Sequence, residues 1–330
     1  VPNVCYIGNF QPPFSTENDV RRTLVDMGHQ VGTVQENEID AWVDFVGQLR
    51  DGEEVPDLIL WTSTYDYSQK VGHEIQREML FLARLNAVPT IALHLDRWWG
   101  LERWRRVLVE PMFSADYVLT ADGGHQAVFG AAGINHHWSP PAIAPHNCVR
   151  GSYRPEFACD VLFVGSWRGG YHEEWQHRPY LIKHLRRRWG KRLLLLPPAG
   201  APRVVGQDLA DAYASAKVVV GDSCLVPKVD DSPMTHYCSD RVFETIGRAG
   251  FLLHPYVDGV IGPLNEDLLT PGTHCDAWIL GDWDGLDDRI TAALDDPLDK
   301  ESVRDAGYFF VKEKHTYANR LDWALGLAGL

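Results

Sequence analysis

The sequence predicts an α/β protein of two facing domains, each a parallel sheet covered by helices, with a cleft between them. Three observations predict it. Residues 4–10 (Val-Cys-Tyr-Ile-Gly-Asn-Phe) and 161–167 (Val-Leu-Phe-Val-Gly-Ser-Trp) repeat one pattern, four apolar residues, a glycine, a small polar residue and an aromatic. That is how a buried strand runs into a glycine turn and then a helix. After each copy, short apolar runs alternate with longer amphipathic stretches, the order that lays parallel strands under helices on both faces. A chain of 330 residues has room for two cores and is large for one.

In the first half we expect a strand at 4–7, a helix at 16–27, a strand at 31–34, a helix through 42–49 and a strand at 58–61. A helix at 69–85, a strand at 90–95, a tryptophan-rich loop, a strand at 117–120 and a helix ending near Gly133 complete it. Pro140, Pro141, Pro145 and Pro155 mark the boundary. We set the domains at 1–145 and 159–315, with 146–158 as linker and 316–330 as a final helix. The second half reads as strand 161–164, helix 173–189, strand 192–196, helix 208–215 and strand 217–220. A helix from Ser239, a strand from Phe251, a looser region to Gly281, a helix at 286–294 and a broken helical stretch at 300–327 follow.

Composition narrows the function. With 45% hydrophobic and 23% charged residues the chain is that of a globular protein, and no apolar run approaches a membrane span. The start lacks a signal-peptide pattern, so we expect a cytoplasmic protein. The six cysteines are scattered without a Cys-x-x-Cys pair, which argues against a disulfide frame or a zinc site. A net charge of −14 opposes broad contact with nucleic acid or anionic membranes.

The chemistry centres on Ser-Asp-Arg-Val-Phe-Glu-Thr-Ile-Gly-Arg-Ala-Gly-Phe-Leu-Leu-His-Pro at 239–255. Ser239 is placed to cap a helix with the apolar stripe Val242, Phe243, Ile246 and Ala249, which Gly250 ends before the next strand. Arg241 and Glu244 project from neighbouring turns near the N-terminus, where backbone N–H groups attract anions. A cation, a carboxylate and a helix N-terminus suit a nucleoside diphosphate, with the carboxylate accepting from ribose hydroxyls. The same pair also reads as an ordinary exposed Arg-Glu pair on an amphipathic helix.

Arg241-Val-Phe-Glu244 with Gly250-Phe-Leu-Leu resembles the donor-site helix of GT-B glycosyltransferases, specifically the CgeB-like group related to glycosyltransferase family 4. Asp296-Pro297, Ala306-Gly307, Lys314-His315-Thr316-Tyr317 and Arg320 resemble that group's ending. The resemblance, strongest over 205–325, implies two facing Rossmann-like domains and transfer of a sugar from a nucleotide sugar to a hydroxyl acceptor. It also implies retention of configuration, no cofactor or metal beyond the co-substrate, and a last helix crossing back to the first domain. A UDP-sugar is the favoured donor.

Ligands of open parallel sheets sit beyond the C-terminal strand ends. On the second domain this selects Gly165, Ser166 and Arg168 with Arg178, the loop residues Ser223 and Tyr237, and Arg241 and Glu244 as donor-binding residues. On the first it selects Asn9, Phe10, Glu17, Asp66, Trp98 and Trp99 for the acceptor, the tryptophans either stacking on it or packing their loop. His94 and Asp96 alternate at a strand end as a candidate acid-base pair, against the plainer reading of a histidine satisfied by backbone. Asp282-Trp-Asp284 is set aside as a metal motif, with Asp284 the expected helix cap, and His125, His136 and His137 as surface loop. The acceptor stays open among a polysaccharide, a small molecule and a hydroxylated DNA base, which the basic, aromatic segment 97–106 keeps in view. The oligomeric state is not legible. The rival functions are a sugar-nucleotide epimerase or phosphorylase on the same frame, and a non-catalytic nucleotide-sugar binder.

Overall fold

The computed structural model describes residues 1–52, 54–64, 71–167, 177–222, 235–264 and 267–330. The chain divides into two compact units, Val1–Pro140 with Tyr317–Leu330, and Pro141–Thr316.

In the first unit, β1 (Asn3–Gly8), β2 (Gln30–Gln35), β3 (Leu58–Thr62), β4 (Thr90–His94), β5 (Tyr117–Thr120) and β6 (His136–Trp138) pair in parallel in the order β2-β1-β3-β4-β5-β6. Val4 sits opposite both Val31 and Leu58, which fixes the register at the centre. The helices are α1 (Thr16–Asp26), α2 (Ile39–Asp51), α3 (His73–Leu85), α4 (Gln126–Ala131) and the late α10 (Tyr317–Leu327). Ser15 starts α1 by accepting from the Asn18 N–H at 3.2 Å. Alternation divides the strand residues between two faces. Ile7, Ile59, Trp61 and Val118 join the core with Trp42 and Met79, while Leu60, Leu93 and Leu119 line a small cavity with Leu321 and Ala324 of α10.

In the second unit β7 (Cys159–Val164), β8 (Leu193–Leu196), β9 (Ala216–Val220), β10 (Leu252–Pro255) and β11 (Asp276–Trp278) pair in parallel in the order β11-β10-β9-β7-β8. Its helices are α5 (Arg178–Trp189), α6 (Gly206–Ser215), α7 (Asp240–Gly247), α8 (Trp283–Asp295) and α9 (Pro297–Lys314). Val161, Phe163, Val218 and Val220 pack with Leu181, Leu185 and Ile290. The intervening Leu162 and Val219 pack oppositely with Leu209 and Tyr213. Among the described residues no helix is long and apolar enough to cross a membrane.

Several expectations are corrected. His136 and His137 are not surface loop but strand, paired with Val118 and Leu119. His136 is buried, its Nε2 2.8 Å from the Thr120 hydroxyl and its ring stacked on Phe129, and burial pulls its pKa to about 3. The looser region contains β11, whereas the stretch at 300–327 is broken as expected, its two helices parted at His315 and Thr316. Asp282, not Asp284, caps α8 by accepting from the Gly285 N–H at 2.9 Å. Ser239 stands at the N-cap of α7 but its side chain makes no cap hydrogen bond. Ala249, not Gly250, takes the left-handed turn after α7 at φ 57°. Gly250 is needed for space, since a Cβ there would sit 2.8 Å from Thr245 Cγ2. The expected starts of the helices at 69 and 173 fall outside the described residues.

Candidate functional site

In the second sheet β8 flanks β7 on one side and β9 on the other, so the strand order reverses between β7 and β9. A crevice opens beyond the carboxyl ends of strands at such a point. Here it is lined by Val164, Gly221, Asp222, Ser239, Arg241 and His254. Gly165 turns the chain at φ 150°, and a Cβ there would overlap the Arg241 guanidinium. That guanidinium donates from NH1 to the Val164 carbonyl at 3.0 Å, which lays it across the turn. From 241 to 247 only Arg241 and Glu244 escape burial, and the Glu244 side chain is 29% exposed. Asp240, in the first turn, is likewise only partly buried, so the helix presents one cation and two carboxylates from an otherwise packed surface.

The other donor-side candidates fall differently. Arg178 is 2% exposed and grips Asp222 with Nε and NH2 at 2.5 and 2.8 Å, while its NH1 donates to the Ser166 carbonyl at 2.8 Å. Its charge is met by Asp222, so it braces the loop instead of offering a counter-charge to phosphate. Ser166 is partly exposed and Tyr237 is buried; Arg168 and Ser223 lie outside the described residues. Asp222 and His254 are contributions the sequence reading missed. Burial lowers the His254 pKa to about 4, making it a neutral wall against Gly221. Their positions, two residues after the end of β9 at Val220 and within the strand from Leu252, were the available signal.

The first sheet has its own reversal, between β1 and β3. A Cβ on Gly8 would sit 2.9 Å from Glu17 Cγ, so this glycine makes room for a carboxyl. Asn9 accepts from Gln35 Nε2 at 2.8 Å, and the Phe10 N–H donates to Gln35 Oε1 at 3.1 Å, tying the turn to β2. Glu36, also missed, is fully buried, and its Oε1 accepts from the Thr64 N–H at 2.7 Å and Trp61 Nε1 at 3.2 Å. Burial, with the nearby Glu17, pushes its pKa up to about 8. Burial raises the Glu17 pKa too.

His94 and Asp96 do not form the expected couple. His94 Nδ1 donates to the Ser63 carbonyl at 2.5 Å, the ring is 2% exposed, and burial lowers its pKa to about 4. Because β4 ends at His94, strict alternation stops there, and Asp96 is exposed. Among the described residues no hydrogen bond joins them. Trp98 is 1% exposed and edge-on to Phe113, so it is core and not a stacking platform. Trp99 stacks on His125 and meets Trp104 edge-on. The Trp98 and Trp99 N–H groups both donate to the buried Asp122 carboxylate, at 2.9 and 2.8 Å, which clamps the loop to the end of β5. Asp66 lies outside the described residues.

A family model described as glycosyl transferase-like matches residues 156–326, over half of the chain and including α7 with Arg241 and Glu244. The chain belongs to that family. As a glycosyl transferase-like protein it is an enzyme, a glycosyltransferase, with the GT-B fold. HepE of Anabaena in complex with UDP-glucose is similar at TM-score 0.62 and 12% identity, over 100% of both chains. An alpha-glucosyltransferase in complex with UDP and a 13-mer DNA containing a central A:G mismatch gives TM-score 0.65 at 11% identity, over 100% of both chains. Sucrose-phosphate synthase from Thermosynechococcus elongatus gives 0.61 at 11%, over 99% of both. At such identities the likeness is one of fold. No curated protein matches the chain in sequence.

Proposed function

We propose that this glycosyltransferase takes its sugar from a nucleoside diphosphate sugar, a UDP-sugar first among them, held at the β7/β9 reversal of the second unit. The observation that carries the reading is the glycine turn at Gly165 with the Arg241 guanidinium across it, at the N-terminus of α7. A departing diphosphate gathers negative charge, and a fixed guanidinium with helix N–H groups stabilises that charge best where water is excluded. Glu244 accepts from the ribose hydroxyls, and Gly165 and Ser166 line the phosphate turn. HepE and the alpha-glucosyltransferase, similar in fold, were each captured with UDP, which supports uracil as the base. Retention and metal independence follow from the family resemblance.

For the acceptor side we assign the first unit, with Asn9, Phe10 and Glu17 at its reversal and Asp96 as the exposed carboxylate for an acceptor hydroxyl. A saccharide or small hydroxyl compound fits better than DNA. Three arginines of segment 97–106 are engaged internally: Arg97 Nε with the Trp99 carbonyl, Arg103 with the Arg97 carbonyl, and Arg106 with Glu110. The net charge of −14 points the same way.

The test is a thermal-shift panel of UDP, GDP, ADP, dTDP and CMP with common UDP- and GDP-sugars, on wild type and Glu244→Ala, each against its own ligand-free midpoint. A ligand that binds the native state raises the midpoint. A shift with uridine nucleotides that vanishes in the variant is expected. Equal shifts in both proteins would remove Glu244 from the site.

A further inference from the structure

Arg248 follows α7 as its C-cap residue and is 3% exposed. Guanidinium keeps its charge at any working pH, so burying it requires a carboxylate close by. Among the described residues that carboxylate is Glu244, with Oε1 3.5 Å from Arg248 NH1. Among the described residues Arg248 Nε and NH1 make no hydrogen bond, so no described acceptor competes with Glu244 at those atoms. Among the described residues, the titratable groups that feel Arg248 include the buried Cys148 thiol and Tyr213 phenol, whose pKa values burial pushes to about 11 and about 12, so neither is charged at neutral pH. Glu244 precedes Arg248 by four residues, the favourable order for such a pair on a helix. Arg241, three residues before Glu244, reaches the Val164 carbonyl.

We propose that Arg248 is the positioning residue for Glu244, anchoring the carboxylate from the buried side so that its exposed side meets the ribose hydroxyls. This rests on the reading of Glu244 as the ribose acceptor. A free glutamate would sample several rotamers and lose orientational entropy on binding; one held by a buried cation has already lost it. Arg248 itself touches neither sugar nor phosphate in this account. It acts on nucleotide selection alone.

The test is calorimetry with UDP and 2′,3′-dideoxy-UDP on wild type, Glu244→Gln, Arg248→Met and Arg248→Lys. Wild type is expected to prefer UDP by about ten- to a hundredfold, the range for hydrogen bonds to a charged group. Arg248→Met should bring that preference within about threefold by weakening UDP binding while leaving dideoxy-UDP affinity unchanged, and Arg248→Lys should restore part of it. A folded Arg248→Met protein with the wild-type preference overturns the proposal. Should the methionine variant not fold, the lysine variant decides: a reduced preference supports the proposal, and an unchanged one overturns it. A wild type indifferent to the ribose hydroxyls, matched by Glu244→Gln, overturns the assignment of Glu244 and this proposal with it.

Discussion

The two strand-order reversals are built alike and furnished oppositely. In each, a glycine at or just past the end of the unit's first strand yields its Cβ space to an ionisable side chain, Glu17 over Gly8 and Arg241 over Gly165. Around Gly8 stand carboxyls, Glu17 and Glu36, both with pKa raised by burial. Around Gly165 stand guanidiniums, one of them, Arg178, matched to a buried Asp222. Under the proposed function the shared topology offers each unit a ligand position beyond its strand ends, and the side chain over the glycine selects the ligand. The cationic turn is the one assigned to a diphosphate, and the carboxyl turn the one assigned to a group that donates hydrogen bonds.

The largest expected effect separates the two arginines of the second unit. Breaking the buried Arg178 and Asp222 pair from one side, by Arg178→Ala or Asp222→Ala, should cost about 3–5 kcal/mol of stability because the partner is left charged and unpaired. Arg241→Ala should leave denaturant midpoints nearly unchanged and remove donor affinity instead. Equal unfolding costs in urea titrations would erase the distinction between brace and ligand.

Next come the glycines. Gly165→Ala should displace Arg241 and reduce UDP affinity by about tenfold or more, the loss of one charge-assisted contact. Gly8→Ala presses only on the flexible Glu17 side chain, and should leave UDP affinity at the wild-type value. Calorimetry on the pair shows whether the turns differ in ligand as they do in charge.

A separate test is the pH dependence of the first unit. Glu36 is raised to about 8 from an ordinary 4.5. The stability that its neutral form contributes is therefore complete below 4.5 and is lost as pH rises through about 8. Glu36→Gln cannot ionise, so its melting temperature should gain on wild type between pH 5 and pH 8.5. Parallel melting curves across that range would mean that Glu36 is ionised in the fold.

Much of this was legible in the sequence, because strand ends and glycine turns are local events. The repeated apolar-Gly-polar-aromatic motif located both reversals, and the Arg241 and Glu244 spacing on α7 found the cation and carboxylate. What escaped depended on partners distant in the chain. Asp222 gains its meaning from Arg178, 44 residues away, and Glu36 from Trp61 and the Thr64 N–H. Trp98 looked like a stacking platform because nothing local reveals that Asp122 pulls its loop inward. The three-residue strands β6 and β11 were hidden by their composition, His-His-Trp and Asp-Ala-Trp, in which pairing with a neighbour outweighs weak strand propensity.

The most direct measurement is the dissociation constant of UDP by calorimetry on three proteins: wild type, Arg241→Ala and the double variant Glu17→Gln with Glu36→Gln. The account predicts that Arg241→Ala loses UDP binding by about a hundredfold, the upper range for a charged hydrogen bond, while the carboxyl variant binds as wild type does. Loss of UDP binding in the carboxyl variant with Arg241→Ala unaffected would contradict it, placing the diphosphate at the wrong glycine.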